Sequence, residues 1–189
     1  MYEDELSMGD ARQRYFAENR FDGTYSERWV KLKAGPITFA FPNAPGRVRA
    51  VKLHDLHHVV TDYPTSWTGE AEIAAWEIAT GCGRFGWAWY LNLQGLAIGV
   101  GIAPRAVWRA FIRGRDSRNL YHSYGAPTDT LLARRVGDIR RELGLDRLAA
   151  PARPWDGVAF AAWVWASLIL LLFPTALILY ALSRLLTAL

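Results

Sequence analysis

Cysteine and histidine are both scarce in this sequence, which has one cysteine and four histidines among 189 residues. A single cysteine excludes an internal disulfide framework and is typical of a reducing compartment. Cys82 stands between two glycines, with no cationic neighbour closer than Arg84. We therefore interpret it as a small residue at close helix packing and not as a nucleophile.

The amino terminus lacks the apolar core of a signal peptide, because residues 1–5 are mostly acidic. Lysine and arginine number 22 against 18 aspartate and glutamate residues, which gives a net charge of +4. This balance is basic without being extreme, and the sequence contains no nucleic-acid recognition motif. We therefore expect neither a signal peptide nor a nucleic-acid partner.

Charged residues are absent from residues 157–183, which Asp156 and Arg184 flank. A helix of this length exceeds the ~30 Å hydrocarbon core, so it can cross a bilayer with tilt. Aromatic residues stand toward both of its ends, as they do at membrane interfaces: Trp155, Trp163, Trp165 and Tyr180. The sequence predicts a single transmembrane segment over 157–183, kinked at Pro174. The arginines before it place the main domain on the cytoplasmic side.

A second uncharged run covers residues 85–104. By length alone this run could also cross a membrane. Asn92, Gln94 and several glycines weaken that interpretation. We favour a buried core helix that lines an apolar tunnel over a second span.

The rest of the chain is mostly helical in pattern. Alternating apolar residues from Trp29 to Phe41, around a Gly35-Pro36 turn, favour a short β-hairpin. A loose polar start precedes it. Capping residues and apolar spacing predict the following helices: residues 10–18, 47–58, 69–80, one that begins at 104, and 129–144. Ser66 or Thr68 is expected to cap the helix over 69–80, and Gly144 to end the last one.

Three of the four histidines lie in one short stretch, His54-Asp55-Leu56-His57-His58. His54 and His58 are four residues apart, so they share one face of a helix. The Tyr63-Pro64-Thr65-Ser66 stretch breaks that helix and lets a second one return with Glu70. His54, Asp55, His58 and Glu70 then form a set of two imidazoles and two carboxylates, which suits zinc, manganese or iron.

The predicted fold class is therefore mainly α: a helical metal-binding domain with a short amino-terminal β-hairpin and a carboxy-terminal transmembrane helix. The predicted divisions are an extension over 1–46, the helical domain over 47–148, a linker over 149–156, and the transmembrane segment over 157–183.

Two other patterns share the histidine stretch. His-x-x-His-His, formed by His54, His57 and His58, is a box of membrane di-iron desaturases and hydroxylases, but four histidines are too few for their several boxes. The His-Asp pair also occurs in HD-type phosphohydrolases, which require an upstream histidine, and none precedes His54. A capped or otherwise satisfied polar pair on a helix end remains the structural alternative.

The spacing His54, Asp55, His58, Glu70 resembles the signature of the coenzyme Q biosynthesis protein 4 family. The flanks Gly69-Glu70, Trp76-Glu77 and Tyr63-Pro64-Thr65 agree as well. The resemblance covers residues 47–99 and continues more weakly to about 145. The first 45 residues and the hydrophobic tail lie outside it.

This resemblance implies a helical domain that binds one divalent metal, zinc first, through the signature. It also implies work on polyprenylated aromatic precursors of ubiquinone at the membrane, beside other quinone-biosynthesis proteins. As an enzyme, the protein would be a metal-dependent oxidative decarboxylase of a prenylated hydroxybenzoate, replacing the ring carbon-one carboxyl by hydroxyl. The alternative is a non-enzymatic membrane scaffold for a quinone or other isoprenoid-lipid complex. A homo-oligomer is left open.

Further polar residues could contribute to such a site. Glu77 lies two helical turns beyond Glu70, where it could move protons or support the ligands, or remain a half-exposed charge. Among the other residues, His122 is a lone histidine, for which we expect a structural role. A basic stripe on the helix after Pro104 could bind anionic headgroups or a polyprenyl phosphate, or simply face solvent: Arg105, Arg109 and Arg113.

Overall fold

The computed structural model describes residues 1–21, 25–34, 37–148 and 150–187, and it is mainly helical. One antiparallel strand pair lies between the first two helices. The elements follow in this order: α1 Met8–Asn19, β1 Trp29–Ala34, β2 Ile37–Pro42, α2 Pro45–Thr61, α3 Trp67–Thr80, α4 Gly86–Ile102, α5 Pro104–Arg115, α6 Leu120–Ser123, α7 Asp129–Leu132, α8 Val136–Leu143 and α9 Pro154–Thr187.

Helix α3 is the centre of the body, because α4 and α5 both pack against it. Glycines allow the close approach. A β-carbon added to Gly99 on α4 would lie 2.5 Å from the Cβ of Ala71, and one added to Gly114 on α5 would lie 2.6 Å from the Cβ of Ala79. Fully buried Trp76 and Phe111 fill the core between these helices. α3 is thereby fixed, together with the side chains that it presents to α2.

The amino-terminal segment is ordered against the body, so the predicted loose start is wrong. Ser7 caps α1 by accepting a hydrogen bond from the backbone N–H of Asp10, and Met8 and Tyr15 are buried. Residues before α1 also pair with the backbone near Arg135.

That pairing divides the predicted helix over 129–144 into α7 and α8. The N–H of Met8 donates to the carbonyl of Arg134, and the N–H of Val136 donates to the carbonyl of Leu6. These backbone groups are therefore not available to continue one helix. The predicted start at 129 and the predicted end at Gly144 are both confirmed. The Thr128 side chain caps α7, which begins at Asp129, and Gly144 ends α8 with a positive φ of 72°.

Strands β1 and β2 pair antiparallel, with Trp29 opposite Pro42 and Ala34 opposite Ile37. The turn predicted at Gly35-Pro36 lies outside the described residues.

Helix α4 is buried on one side and exposed on the other, so the prediction of a buried core helix is correct only in part. Asn92 and Leu96 point into the body. Tyr90, Ile98 and Ile102 are exposed on the other side.

Helix α9 starts at Pro154, earlier than the predicted segment, and its first turns pack on the body. Phe160 contacts the rings of Trp108 and Phe111, and Trp163 stacks on Trp89 at 5.2 Å between centroids. Within the described residues, Pro154–Phe173 is the one helix long and apolar enough to cross a membrane. The helix continues through position 174, and the predicted kink there stays a prediction.

Candidate functional site

The site lies where the second half of α2 meets the start of α3. α2 extends to Thr61, one turn beyond its predicted end, and Asp62 ends it with a positive φ of 60°. Ser66 then caps α3 by accepting a hydrogen bond from the N–H of Gly69. A β-carbon at Gly69 would lie 2.0 Å from the carbonyl oxygen of Pro64. Glycine thus lets the connecting turn close tightly and brings the neighbouring Glu70 over α2.

Three of the four predicted ligands converge. The Nε2 atoms of His54 and His58 are 3.2 Å apart. The Glu70 carboxylate lies 3.5 Å from the Nε2 of His54 and 3.4 Å from that of His58. One ligand atom from each residue lies within 4.8 Å of the others. Both imidazoles and the carboxylate therefore face one small common space.

The outer nitrogens of both histidines have acceptor partners, which fixes how the rings are oriented. The Nδ1 of His58 donates to the carbonyl of Tyr63 at 2.8 Å. The Nδ1 of His54 donates to the Glu77 carboxylate, also at 2.8 Å. When these rings are neutral, each proton is therefore on Nδ1, and both Nε2 lone pairs point into the common space. Such support by an outer acceptor is typical of metal-binding histidines.

Asp55 is not part of the converging group. It is buried, and its carboxylate accepts a hydrogen bond from the Tyr25 hydroxyl. Burial raises the pKa of Asp55, against the lowering effect of nearby His54. The structure thus presents two imidazoles and one carboxylate in place of the predicted four-ligand set.

Glu77 is completely buried, so the alternative of a half-exposed charge is wrong. Its carboxylate accepts hydrogen bonds from His54, from His57 at 2.6 Å, from the Tyr121 hydroxyl at 2.9 Å, and from the Asn92 amide. Burial alone would raise the pKa of Glu77, but the two histidines outweigh it and hold that pKa well below its usual range. An ionised carboxylate with this many donors is fixed in position.

The other pKa shifts follow the same balance between burial and charge. Burial opposes a charge on His54, yet Glu77 and Glu70 raise its pKa well above the usual value. Burial likewise disfavours ionised Glu70, and the two facing histidines nevertheless lower its pKa. The pair of histidines and the two carboxylates therefore form one coupled charge cluster.

His57 points away from the cluster into the core. Its Nδ1 bonds to Glu77, and its Nε2 accepts the backbone N–H of Leu120 at 2.9 Å. Burial lowers the pKa of His57, although Glu77 acts in the opposite direction. The ring also packs edge-on against Trp76 and Tyr121. His57 therefore ties α2 to α3 and α6, and it does not face His54 and His58 across the common space.

The predicted arginine stripe is only partly free. Arg113 donates to the carbonyl of Thr61 at 2.9 Å, and its guanidinium lies over the Tyr63 ring. Arg105 and Arg109 are exposed. His122 bonds to the carbonyl of Thr80 at the surface, which fits its predicted structural role. Arg113 therefore supports the turn at Tyr63, whose carbonyl accepts the hydrogen bond from His58.

Sequence reasoning missed Tyr121 and Tyr25, which bond to Glu77 and Asp55 respectively. Nothing in their local sequence marks them. Asn92 did carry a signal, since it is a polar residue inside an uncharged run, and its buried amide bonds to Glu77. Cys82 is buried beside that amide, as expected for a packing residue.

A cavity of about 230 Å³ reaches His58 from the surface between α1 and the turn before α3. Its lining includes Tyr15, Glu18, Tyr63 and Thr65. The ring of Tyr15 stacks on that of His58 at 5.5 Å. The histidine pair is therefore close to solvent on one side.

Comparison with known proteins gave no match to this chain among protein-family models, curated proteins or solved structures.

Proposed function

We propose that this protein binds one divalent transition metal, zinc in the first place, through His54, His58 and Glu70. The observation that carries the proposal is the pair of Nε2 atoms 3.2 Å apart, each on a ring whose Nδ1 donates to an outer acceptor. Two lone pairs facing each other repel unless a cation lies between or beside them. The donor set of two imidazoles and one carboxylate is one that zinc accepts.

In the metal-free protein, the same geometry allows a proton to be shared among His54, His58 and Glu70. The carboxylates raise the pKa of His54, and a metal would displace that proton, because it binds only the neutral ring.

Three ligands favour a site that works on a substrate over a structural site. Structural zinc is closed by four protein ligands, whereas catalytic zinc keeps a position open. Asp55, the fourth member of the signature, is engaged with Tyr25. A bound metal would supply Lewis-acid stabilisation of a carboxylate or phenolate oxygen. Glu70 supports this use, since its side chain is 42% exposed and adjoins the open side.

Glu77 acts in this proposal as a positioning residue. Its carboxylate bonds to Nδ1 of His54 and Nδ1 of His57, so it lies behind the ligands. From there it holds the His54 ring and the proton on its Nδ1, and it does not contact substrate.

The substrate class that we propose is a polyprenylated aromatic precursor of ubiquinone, in line with the resemblance of residues 47–99 to the coenzyme Q biosynthesis protein 4 family. The support is the site's motif together with an apolar helix, α9, docked on the same small body. The proposed reaction replaces the carboxyl at ring carbon one by hydroxyl and releases carbon dioxide. It is a two-electron oxidation, so it requires an external oxidant such as dioxygen to supply the oxygen atom and accept the electrons, because zinc is redox-inert. In this proposal the body lies on the cytoplasmic side. Exposed Arg105 and Arg109 would face anionic headgroups.

The test is complementation of a quinone-making host that lacks this gene. Wild-type protein and the His122→Ala control should restore quinone. His58→Ala should not, and a prenylated hydroxybenzoate should accumulate in its lipid extract. Normal quinone levels with His58→Ala protein would contradict a metal-dependent enzyme and favour the scaffold. An unchanged lipid profile in the deletion strain itself would contradict any role in quinone synthesis.

A further inference from the structure

A second cavity lies at the start of α4, away from the histidine pair. It has a volume of about 750 Å³. Backbone of Gly46 and Gly86 forms part of the wall, the rings of Phe85, Trp87 and Tyr90 form another part, and Arg49 and Arg84 complete it. The size is that of a ligand pocket.

Arg49 and Arg84 are exposed to this cavity without an acidic partner. Among the described residues, neither side chain has an ion pair or a hydrogen bond, and no residue lining the cavity is acidic. This contrasts with Arg14, Arg134, Arg140 and Arg153, which each pair with a carboxylate. Two uncompensated guanidinium groups on one pocket match the charge of a phosphate group and can hold its oxygens bidentately.

Local backbone adds to the positive field. α4 begins at Gly86, and its first N–H groups have no side-chain cap. Free N–H groups at a helix start favour an anion. The two arginines on the cavity are the main evidence for an anion site, and the helix start adds to the same positive field.

The aromatic wall of the cavity has the composition of a membrane interface. Tryptophan and tyrosine concentrate at the headgroup level of bilayers. Trp87 and Tyr90 line the cavity, while Trp89 on the same helical turn stacks on Trp163 of α9. One turn of α4 therefore both lines the cavity and contacts the apolar helix α9.

An exposed apolar stripe leads away from the cavity along α4. Tyr90, Ile98 and Ile102 recur at multiples of four residues, so they lie on one side of the helix, and all three are exposed. The half-buried Gln94 stands between the first two. An acyl chain could lie along this stripe while its headgroup stays between the arginines.

We propose that this cavity binds the phosphate headgroup of an anionic membrane phospholipid, with Arg49 and Arg84 as its ligands. The lipid comes from the bilayer that α9 enters, and its chain lies along α4. This site is separate from the metal cluster, and its occupancy does not require a metal.

The test is lipid binding by the full chain in a neutral detergent. Phosphatidic acid and phosphatidylcholine are titrated separately, and bound lipid is counted by native mass spectrometry. Phosphatidic acid should bind at least tenfold more tightly. Arg49→Gln/Arg84→Gln should remove this preference, because each lost charge-assisted contact costs about tenfold in affinity. The matched control is Arg118→Gln/Arg147→Gln, which removes the same charge from exposed arginines outside the cavity.

Two results would overturn the proposal. One is an equal loss of preference in both double variants, which would mean that only overall charge matters. The other is inorganic phosphate competing for the pocket as strongly as the lipid does, which would make it a site for a soluble phosphate.

Gly86 offers a second test that does not remove an arginine. A β-carbon added there meets no atom within 4 Å, and the residue stands at the first position of α4. Gly86→Glu should place a carboxylate in the cavity without disturbing the fold, because an acidic residue suits a helix start. It should abolish the preference for phosphatidic acid, whereas Gly86→Gln of the same size should keep most of it. Equal behaviour of the two variants would contradict an anion site.

Discussion

His54 uses both of its ring nitrogens, and the two uses divide the site into an inner and an outer part. Nδ1 faces the buried Glu77, and Nε2 faces His58 and Glu70. The ionised Glu77 is stable inside the core because four side chains donate to it. The inner part therefore acts as a fixed support for the His54 ring, which faces His58 and Glu70 on its outer side.

His57→Ala is expected to destabilise the fold while leaving the metal site in place. The substitution removes one of Glu77's donors and the acceptor for the Leu120 N–H. Breaking such a buried charge contact costs about 3 kcal/mol. Denaturant unfolding of both proteins in detergent measures the difference, with surface His122→Ala as control.

Retention of wild-type stability by His57→Ala would contradict this account of Glu77. Loss of metal as complete as in His58→Ala would reopen the His-x-x-His-His interpretation.

Two of the proposed ligands, His58 and Glu70, should differ from Asp55 in their effect on metal affinity. His58→Ala should lower zinc affinity by orders of magnitude, and Glu70→Ala by at least about tenfold. Asp55→Asn should have the smallest effect, because its side chain can still accept the Tyr25 hydroxyl. Competition with a chromophoric chelator measures all three. A larger loss in Asp55→Asn than in Glu70→Ala would favour the four-ligand signature.

Local sequence predicted the convergence of His54, His58 and Glu70 well, and the hydrogen-bond partners behind them poorly. His54 and His58 follow from helical spacing, and the position of Glu70 follows from the break at Pro64. Tyr121 reaches Glu77 from a residue 44 positions away, and nothing in the sequence around it indicates that contact. Asp55 was grouped with these three residues, but it lies outside the convergent cluster, because its carboxylate accepts from Tyr25, 30 positions earlier.

Among the helices, backbone hydrogen bonds between residues distant in sequence set boundaries that the local sequence pattern does not predict. The helix predicted over 129–144 is interrupted because residues 6–8 pair with its middle. By contrast, the starts of α3 and α5 follow from Ser66 and Pro104, which act locally. α4 shows the same limit: its uncharged length predicted burial, but Tyr90, Ile98 and Ile102 stay exposed.

The contact of α9 with the body predicts different effects for two tryptophans on one helix. Trp163 stacks on Trp89, whereas Trp165 is 67% exposed. Trp163→Ala should cost about 2 kcal/mol of stability through lost aromatic packing. Trp165→Ala should cost little in detergent. Thermal unfolding of both variants checks this, and equal shifts would contradict docking of α9 on α4.

The whole molecule combines a polar site, a basic body and one apolar helix that packs on the body before leaving it. Truncation after Pro154 would remove Phe160 and Trp163 along with the span, so it would also uncover Trp108 and Phe111. Such a truncation therefore tests folding as well as membrane attachment.

Orientation of the body can be measured with one added thiol. Leu148 is 99% exposed on the body side of α9, and the only native cysteine is buried. An impermeant thiol reagent should label Leu148→Cys in inverted membrane vesicles and not in intact cells, because arginines on the body side favour the cytoplasm. Labelling in intact cells would reverse the orientation.

The central claim, a metal held by His54, His58 and Glu70, is tested most directly by elemental analysis. Full-chain protein is purified in detergent without a metal-affinity column, incubated with zinc and passed through a desalting column. The account predicts about one zinc per chain for wild-type and His57→Ala protein, and almost none for His58→Ala. Wild-type protein that retains no transition metal after this treatment would contradict it.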